Sequence, residues 1–330
     1  MLRVGIIGFG TMGRVHFNAY KSIPETQVVA ICEETESLNF PDIKIYRDPL
    51  ELIRDKNVDL VDICYPTPYH KDLSIFSLRE GKHVICEKPL ARTLREGEEI
   101  LNALEKTDRK FFVGHVLRFF PQYEMANSLI MNGTLGKVGV ANLRRCGPFP
   151  IGRRNWYANF EMSGGVPLDL VIHDFDFARW TFGDVERIYA KGSSPRGQKN
   201  IDYFLCVLRH ESGVITHVEG SWSHPTGFFM GYEITGEKGM LEFDSRKSNP
   251  IQLSLKFLEE KEGKVAYPES PLREDPYTKE IAHFVDCIVN NREPIVNVFD
   301  AYKAMEISIK AIESIEKEKV ISLKGGKKYG

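Results

Sequence analysis

The chain has 330 residues with 44 basic and 46 acidic side chains, a net charge of −2, and 42% hydrophobic content. That is enough apolar material for two domains with their own cores, and the balanced charge gives no ground for a nucleic-acid or anionic-membrane partner. No apolar run approaches the ~20 residues of a membrane span, the opening "MLRVGIIGFG" lacks the order of a signal peptide, and the six cysteines never form CxxC. A cytoplasmic protein with buried free thiols, no disulfide framework and no metal site is expected.

In chain order, "RVGIIGFG" (3–10), "VVAIC" (28–32), "LVDICY" (60–65), "HVICE" (83–87) and "FFVGH" (111–115) read as buried strands. Helix patterns lie between them at about 11–22, 48–56, 70–80 and 93–107. Continuous Val/Ile runs alternating with helices predict a parallel sheet covered on both faces.

After residue 134 the texture changes. "KVGVANLRRC" (137–146), "DYFLCVLRH" (202–210), "GVITHVEGSW" (213–222), "MGYEITGE" (230–237), "GMLEFD" (239–244) and "IQLSLKFL" (251–258) follow one another with turn residues between them. That predicts an antiparallel sheet, interrupted by a helix at about 166–182 and closed by helices near 276–290 and 299–318. The expected fold class is α/β. A doubly wound parallel sheet fills domain 1–120, and an α+β domain with an open, mostly antiparallel sheet fills 121–330, its last helix free to pack back on the first.

"IIGFGTMG" sets Gly8, Gly10 and Gly13 in GxGxxG register between a strand and a helix. Such glycines give a tight turn, let a pyrophosphate approach the backbone and allow close helix packing, with the phosphates on the helix N-terminus. Phe9, Thr11 and Met12 belong to the same turn. Glu33 follows Gly13 by twenty residues, at the distance where a carboxylate accepts from the adenosine ribose hydroxyls. Glu33 and Glu34 together would repel a 2′-phosphate, so NAD is expected over NADP.

"CYPTPYH" and "CEKPL" lie just past strand ends, on the edge where open parallel sheets bind ligands. They bring Tyr65, Pro66, Thr67, His70 and Glu87 towards a cofactor. Lys88 precedes Pro89 and is biased to an extended backbone; it faces the crevice or pairs on the surface with Glu87. Arg118, in "GHVLRFFPQY", binds a substrate oxygen or braces the domain junction. In "GGVPLDLVIHDFDFARW" (164–180), Asp169, His173 and Asp176 recur at spacings of four and three on one side of a helix. Asp169 can therefore hold one imidazole nitrogen and leave the other outward. A satisfied structural histidine is the competing reading. The glycine pair before it, and an upstream dinucleotide domain that needs a proton-transfer partner, favour catalysis. Trp156 and Tyr157, just upstream, offer faces for sugar packing.

These motifs in this order resemble the Gfo/Idh/MocA oxidoreductases, the glucose–fructose oxidoreductase and inositol dehydrogenase family, over nearly the whole chain. "TPYH", "CEKPLA", "GHVLRFFPQY" and "GGVPLDLVIHDFDFARWTFG" are similar to the family's successive motifs. The departures are Val166 and Pro167 in place of the third glycine and its neighbour, Ile172 in place of a small residue, and Phe120. The resemblance implies that Lys88, Asp169 and His173 form the catalytic set. The substrate is then a sugar, inositol or nucleotide-linked sugar, and the protein a homodimer or homotetramer through its open sheet. Two other readings are a non-catalytic dinucleotide sensor on the same fold and a biliverdin-reductase-like reductase.

Overall fold

The Val/Ile runs of the first third form parallel strands because almost every side chain along them is hidden, odd and even positions alike. In the computed structural model the described residues are 1–34, 37–194, 201–225, 227–247, 251–255, 265–266 and 275–323. The first part alternates β1 (Leu2–Ile7), α1 (Thr11–Lys21), β2 (Thr26–Cys32), β3 (Lys44–Tyr46), α2 (Pro49–Arg54), β4 (Leu60–Ile63), α3 (His70–Arg79), β5 (His83–Glu87), α4 (Leu94–Leu104) and β6 (Phe111–Gly114). The six strands run in order β3-β2-β1-β4-β5-β6, all parallel. Parallel strands set all the carboxyl ends on one edge, and the reversal of order beside β1 opens a crevice there, where such sheets bind ligands. Helix starts carry their own signals: Asp48 accepts from the Leu50 N–H, and Thr93 with Glu96 forms a reciprocal capping box.

The chain continues through α5 (Pro121–Met131), β7 (Val138–Cys146), a 3₁₀ segment (Arg153–Ala158), α6 (Phe160–Ser163), a π turn (Val166–Leu170) and α7 (Ile172–Phe182). Then come β8 (Val185–Ser193), β9 (Tyr203–His210), β10 (Ile215–Ser221), β11 (Phe229–Gly236), β12 (Gly239–Asp244), β13 (Ile251–Leu255), β14 (Val265–Ala266), α8 (Pro276–Val289), α9 (Val298–Lys317) and β15 (Ile321–Ser322). The predicted strand over 251–258 is seen to Leu255; its last three residues lie outside the described residues. The second sheet runs β14-β13-β12-β11-β7-β10-β9-β8-β15. It is mostly antiparallel, but β7 and β10 are parallel neighbours, so the sheet is mixed. Its covered face holds an aromatic cluster of Tyr123, Phe177, Tyr232 and Phe243, with Tyr123 lying 4.9 Å from Phe177 and 5.3 Å from Tyr232.

The chain divides into two compact units, Met1–Phe119 with Glu274–Tyr302, and Phe120–Arg273 with Lys303–Gly330. The sequence reading ran 274–302 on with the second half. Packing decides otherwise: Phe284 of α8 stacks on Phe112 of β6 at 4.7 Å, and Ile281 and Val285 join the core of Val4, Ile6 and Phe9. All six cysteines are free thiols. Among the described residues no helix is long and apolar enough to cross a membrane.

Candidate functional site

The glycine turn has the shape its spacing implies. Gly8 has φ +89°, and a Cβ on Gly13 would lie 2.0 Å from the Gly8 carbonyl oxygen, so α1 approaches β1 as only glycine permits. Gly10 caps α1 without a side-chain acceptor, and no atom lies within 4 Å of where its Cβ would stand. Open space beside an N-terminus that no side chain caps is the requirement for a bound phosphate. Phe9 turns its ring inward onto Phe17 at 5.4 Å, Thr11 is exposed and Met12 is half-buried. Glu33 is buried at the end of β2, and its carboxylate accepts from the Phe9 N–H at 3.4 Å. Arg47, just past the short strand β3, donates to the Glu33 carbonyl at 2.6 Å. Glu34 accepts from the Tyr65 hydroxyl. The residues present fit a dinucleotide.

Past β4 and β5 the two Pro-containing loops are strapped together by His70. Its Nδ1 lies 2.7 Å from the Pro89 carbonyl and its Nε2 2.7 Å from the Tyr65 carbonyl. Burial pushes this imidazole below its ordinary value. A neutral ring donates to one of these carbonyls at a time, and between them His70 holds the loops that carry Tyr65, Pro66, Thr67 and Lys88. Thr67 is buried, while Tyr65, Pro66 and Lys88 are half-buried. Lys88 stands one residue past β5, on the same edge of the sheet as the glycine turn.

Glu87 faces inward. One carboxylate oxygen accepts from the Lys88 backbone N–H at 3.1 Å; the other lies 3.2 Å from His16 Nε2, an ion pair by distance that lacks the alignment of a hydrogen bond. The other ring nitrogen of His16 meets the Asp62 carboxylate at 2.9 Å, which also accepts from the Tyr20 hydroxyl at 2.8 Å. Burial opposes a charge on His16, but the Asp62 carboxylate outweighs it and holds the ring well above 6.5. Burial likewise opposes ionisation of Glu87, and His16 overrides it, holding the carboxyl below 4.5. Sequence reasoning missed this network. Two signals were present: an Asp inside the apolar run "LVDICY", and His16 with Tyr20 four residues apart on one side of α1.

Arg118 is 4% exposed and spends its guanidinium on the Ile295 carbonyl at 2.8 Å and the Asp300 carboxylate at 3.2 Å. Both bonds lie within the first unit and tie the chain after β6 to the segment that begins α9.

In the second unit the continuous helix expected over 166–182 is broken. Val171 N–H bonds the Val166 carbonyl five residues back, a π turn, and the α pattern resumes only at Ile172. Pro167 has no N–H for the first turn, and Gly165 enters with φ +65°. Such wide turns concentrate at functional sites. Asp169 sits buried in the π turn; His173 is half-buried in the first turn of α7, and Asp176 is buried beyond it. The Trp156 and Tyr157 rings lie 4.0 Å apart, tilted by 30° and half-exposed, with Arg154 and Asn155 before them in the left-handed region. Ser163 Oγ donates to the Tyr157 carbonyl at 3.0 Å and accepts from the Gly165 N–H at 3.1 Å, joining the aromatic pair to the glycine pair. Also missed was Asp174, fully buried and held by Arg145 of β7 through two hydrogen bonds of 2.6 and 3.2 Å.

Comparison with known proteins agrees with this construction. Residues 2–115 match the model of an oxidoreductase family with an NAD-binding Rossmann fold, and residues 123–242 match the GFO/IDH/MocA C-terminal domain. A myo-inositol 2-dehydrogenase of Thermotoga maritima is 30% identical, covering 98% of each chain. A scyllo-inositol 2-dehydrogenase (NAD(+)) of Bacillus subtilis is 28% identical over 95% of this chain and 94% of its own. The crystal structure of a probable dehydrogenase from Thermotoga maritima superposes with a TM-score of 0.81 at 29% identity, covering 98% of this chain and 99% of that one. With both halves matched and a relative alike from end to end, the chain belongs to the Gfo/Idh/MocA family of NAD-binding oxidoreductases.

Proposed function

We propose that the protein is an NAD-dependent dehydrogenase that oxidises a secondary alcohol of a polyol, an inositol or a sugar. The observation that carries this lies within the first unit: a half-buried lysine on the carboxyl edge of the sheet whose first turn leaves an open, uncapped helix N-terminus. A pure dinucleotide binder has no use for an ammonium there. The inositol dehydrogenases among the relatives support the substrate class.

The bound dinucleotide would supply the acceptor for the carbinol hydrogen. Lys88 donates to the alcohol oxygen and stabilises the charge that develops on it. His173 accepts the hydroxyl proton as general base, and Asp169 orients the imidazole and stabilises its charged form. Glu33 accepts from the ribose hydroxyls, and with Glu34 it favours NAD by repelling a 2′-phosphate. Trp156 and Tyr157 offer flat faces to a ring substrate. On the open face of the second sheet, Tyr189 and Val207 are cross-strand partners with Leu205 beside them, all exposed. Such a patch supports a homodimer or homotetramer joined through this sheet.

A spectrophotometric screen of NAD reduction over inositols, aldoses and UDP-sugars tests the reading, with thermal shifts for NAD against NADP alongside. Turnover is expected with at least one polyol. His173→Ala should lower it by roughly two to four decades while NAD still binds. Equal turnover in that variant would remove His173 from its role, and tight NAD binding with no turnover across the panel would leave only a sensor.

A further inference from the structure

We propose that His16, Tyr20 and Asp62 form a positioning network that acts through Glu87 to fix Lys88, an inference that rests on Lys88 having the role assigned above. The groups alternate in sign through the interior of the first unit: the Asp62 carboxylate, the His16 ring, the Glu87 carboxylate and the Lys88 ammonium. The spacings are 2.9 Å from Asp62 to His16 and 3.2 Å from His16 to Glu87; a further 3.1 Å separates Glu87 from the Lys88 backbone N–H. His16 and Asp62 are wholly buried, Tyr20 and Glu87 nearly so. Tyr20 donates to Asp62 at 2.8 Å, and the Cys64 thiol lies 3.5 Å from both Asp62 and His16.

A fold has no need to bury three ionisable groups in a row, since an apolar set of similar volume is as stable or more so. Their effect is directional. Glu87 is the last residue of β5, and its carboxylate is held between the imidazole of α1 and the main chain of the next residue. Without His16 the carboxylate is left in the interior short of its counter-charge; it takes up a proton or turns out towards water. Either way the Lys88 N–H loses a charged acceptor, and the side chain that grows from that backbone is no longer aimed. Misplacement of a reacting group by about 1 Å is enough to cost about a hundredfold in rate.

The ligand atoms of His16, Asp62 and Cys64 also lie within 4.8 Å of one another, a spacing open to a cation. The geometry favours hydrogen bonding: Nδ1 already faces Asp62 at 2.9 Å, and burial pushes the Cys64 thiol up to about 12, far from the thiolate a metal needs.

The test is a double-mutant cycle with the substrate found in the screen. His16→Gln should lower kcat about ten- to a hundredfold, with the Kd for NADH, read by fluorescence, within about threefold of wild type. In a Lys88→Ala background the same change should lower the residual rate by less than about twofold, because a residue that works through Lys88 has nothing left to move. A general loss of structure would lower both backgrounds alike. If Lys88→Ala turns over like wild type, Lys88 loses its role and the network with it. If Lys88→Ala is slow and His16→Gln slows it again by its full factor, only the network is overturned. A stoichiometric divalent ion in the purified protein, lost in His16→Gln, would overturn it too. Should His16→Gln not fold, Tyr20→Phe removes one hydrogen bond to Asp62, and a two- to fivefold loss of kcat, again absent beside Lys88→Ala, is expected.

Discussion

Along β1 of the first sheet, Ile6 and Ile7 point to opposite faces and both are fully buried; along β9 of the second, Phe204 and Cys206 are buried while Leu205 and Val207 stand exposed between them. The first sheet is clothed by helices on both sides, the second on one side only. Buried charge follows the same division. The first unit sets Asp62, His16 and Glu87 beneath the carboxyl ends of its strands, in a line that ends at Lys88. The second buries a forked ion pair, Arg145 with Asp174, between the covered face of its sheet and α7. Burial on two sides frees the strand ends for chemistry, whereas a one-sided sheet has a face left over for another surface.

The largest effect that would sharpen this contrast is expected at the ion pair. Arg145→Met strands Asp174 in the interior and should destabilise the protein by about 3–5 kcal/mol in urea unfolding, most of it recovered when Asp174→Leu is added. Failure of the second change to restore stability would show that Arg145 acts through packing, not charge. Next, Ile6→Ala and Ile7→Ala should each cost about 2–5 kcal/mol, because both faces of β1 are packed. A mild effect at either one would break the two-sided description. Smallest in the stability of the subunit itself is Leu205→Glu, expected within about 0.5 kcal/mol because its side chain stands outside the core. Light scattering should show that variant falling to monomers; an unchanged assembly would place the interface elsewhere.

The sequence made the first sheet readable because "RVGIIGFG", "VVAIC" and "HVICE" are continuous apolar runs punctuated by glycine and helix caps, so local pattern and tertiary role coincide. The three-residue β3 at Lys44–Tyr46 is too short to carry a period, and Arg47 arrives at Glu33 only through it. Helix α5 was hidden by reading Pro121 as a boundary; Pro121 is the first residue of the helix. The parallel pairing of β7 with β10 has no local signal at all, because α6, α7 and two strands intervene before the partner arrives. The candidate site divides in the same way. Gly8, Gly10, Gly13 and Lys88 announce themselves through turn chemistry and position after a strand. His16, Asp62 and Glu87 come together from three elements, and nothing short of the fold reveals it. The spacing of Asp169 and His173 was plain in the sequence, but not the widened turn in which Asp169 sits.

That turn has a consequence for descent. A π turn is an α-helical turn with one residue too many, so losing a single codon among 166–170 would restore ordinary helical winding there. The wide turn is what absorbs the extra residue, so its loss would tighten the turn and leave Ile172 onward close to where it stands. The segment before α7 can therefore change length by one residue without turning that helix about its axis.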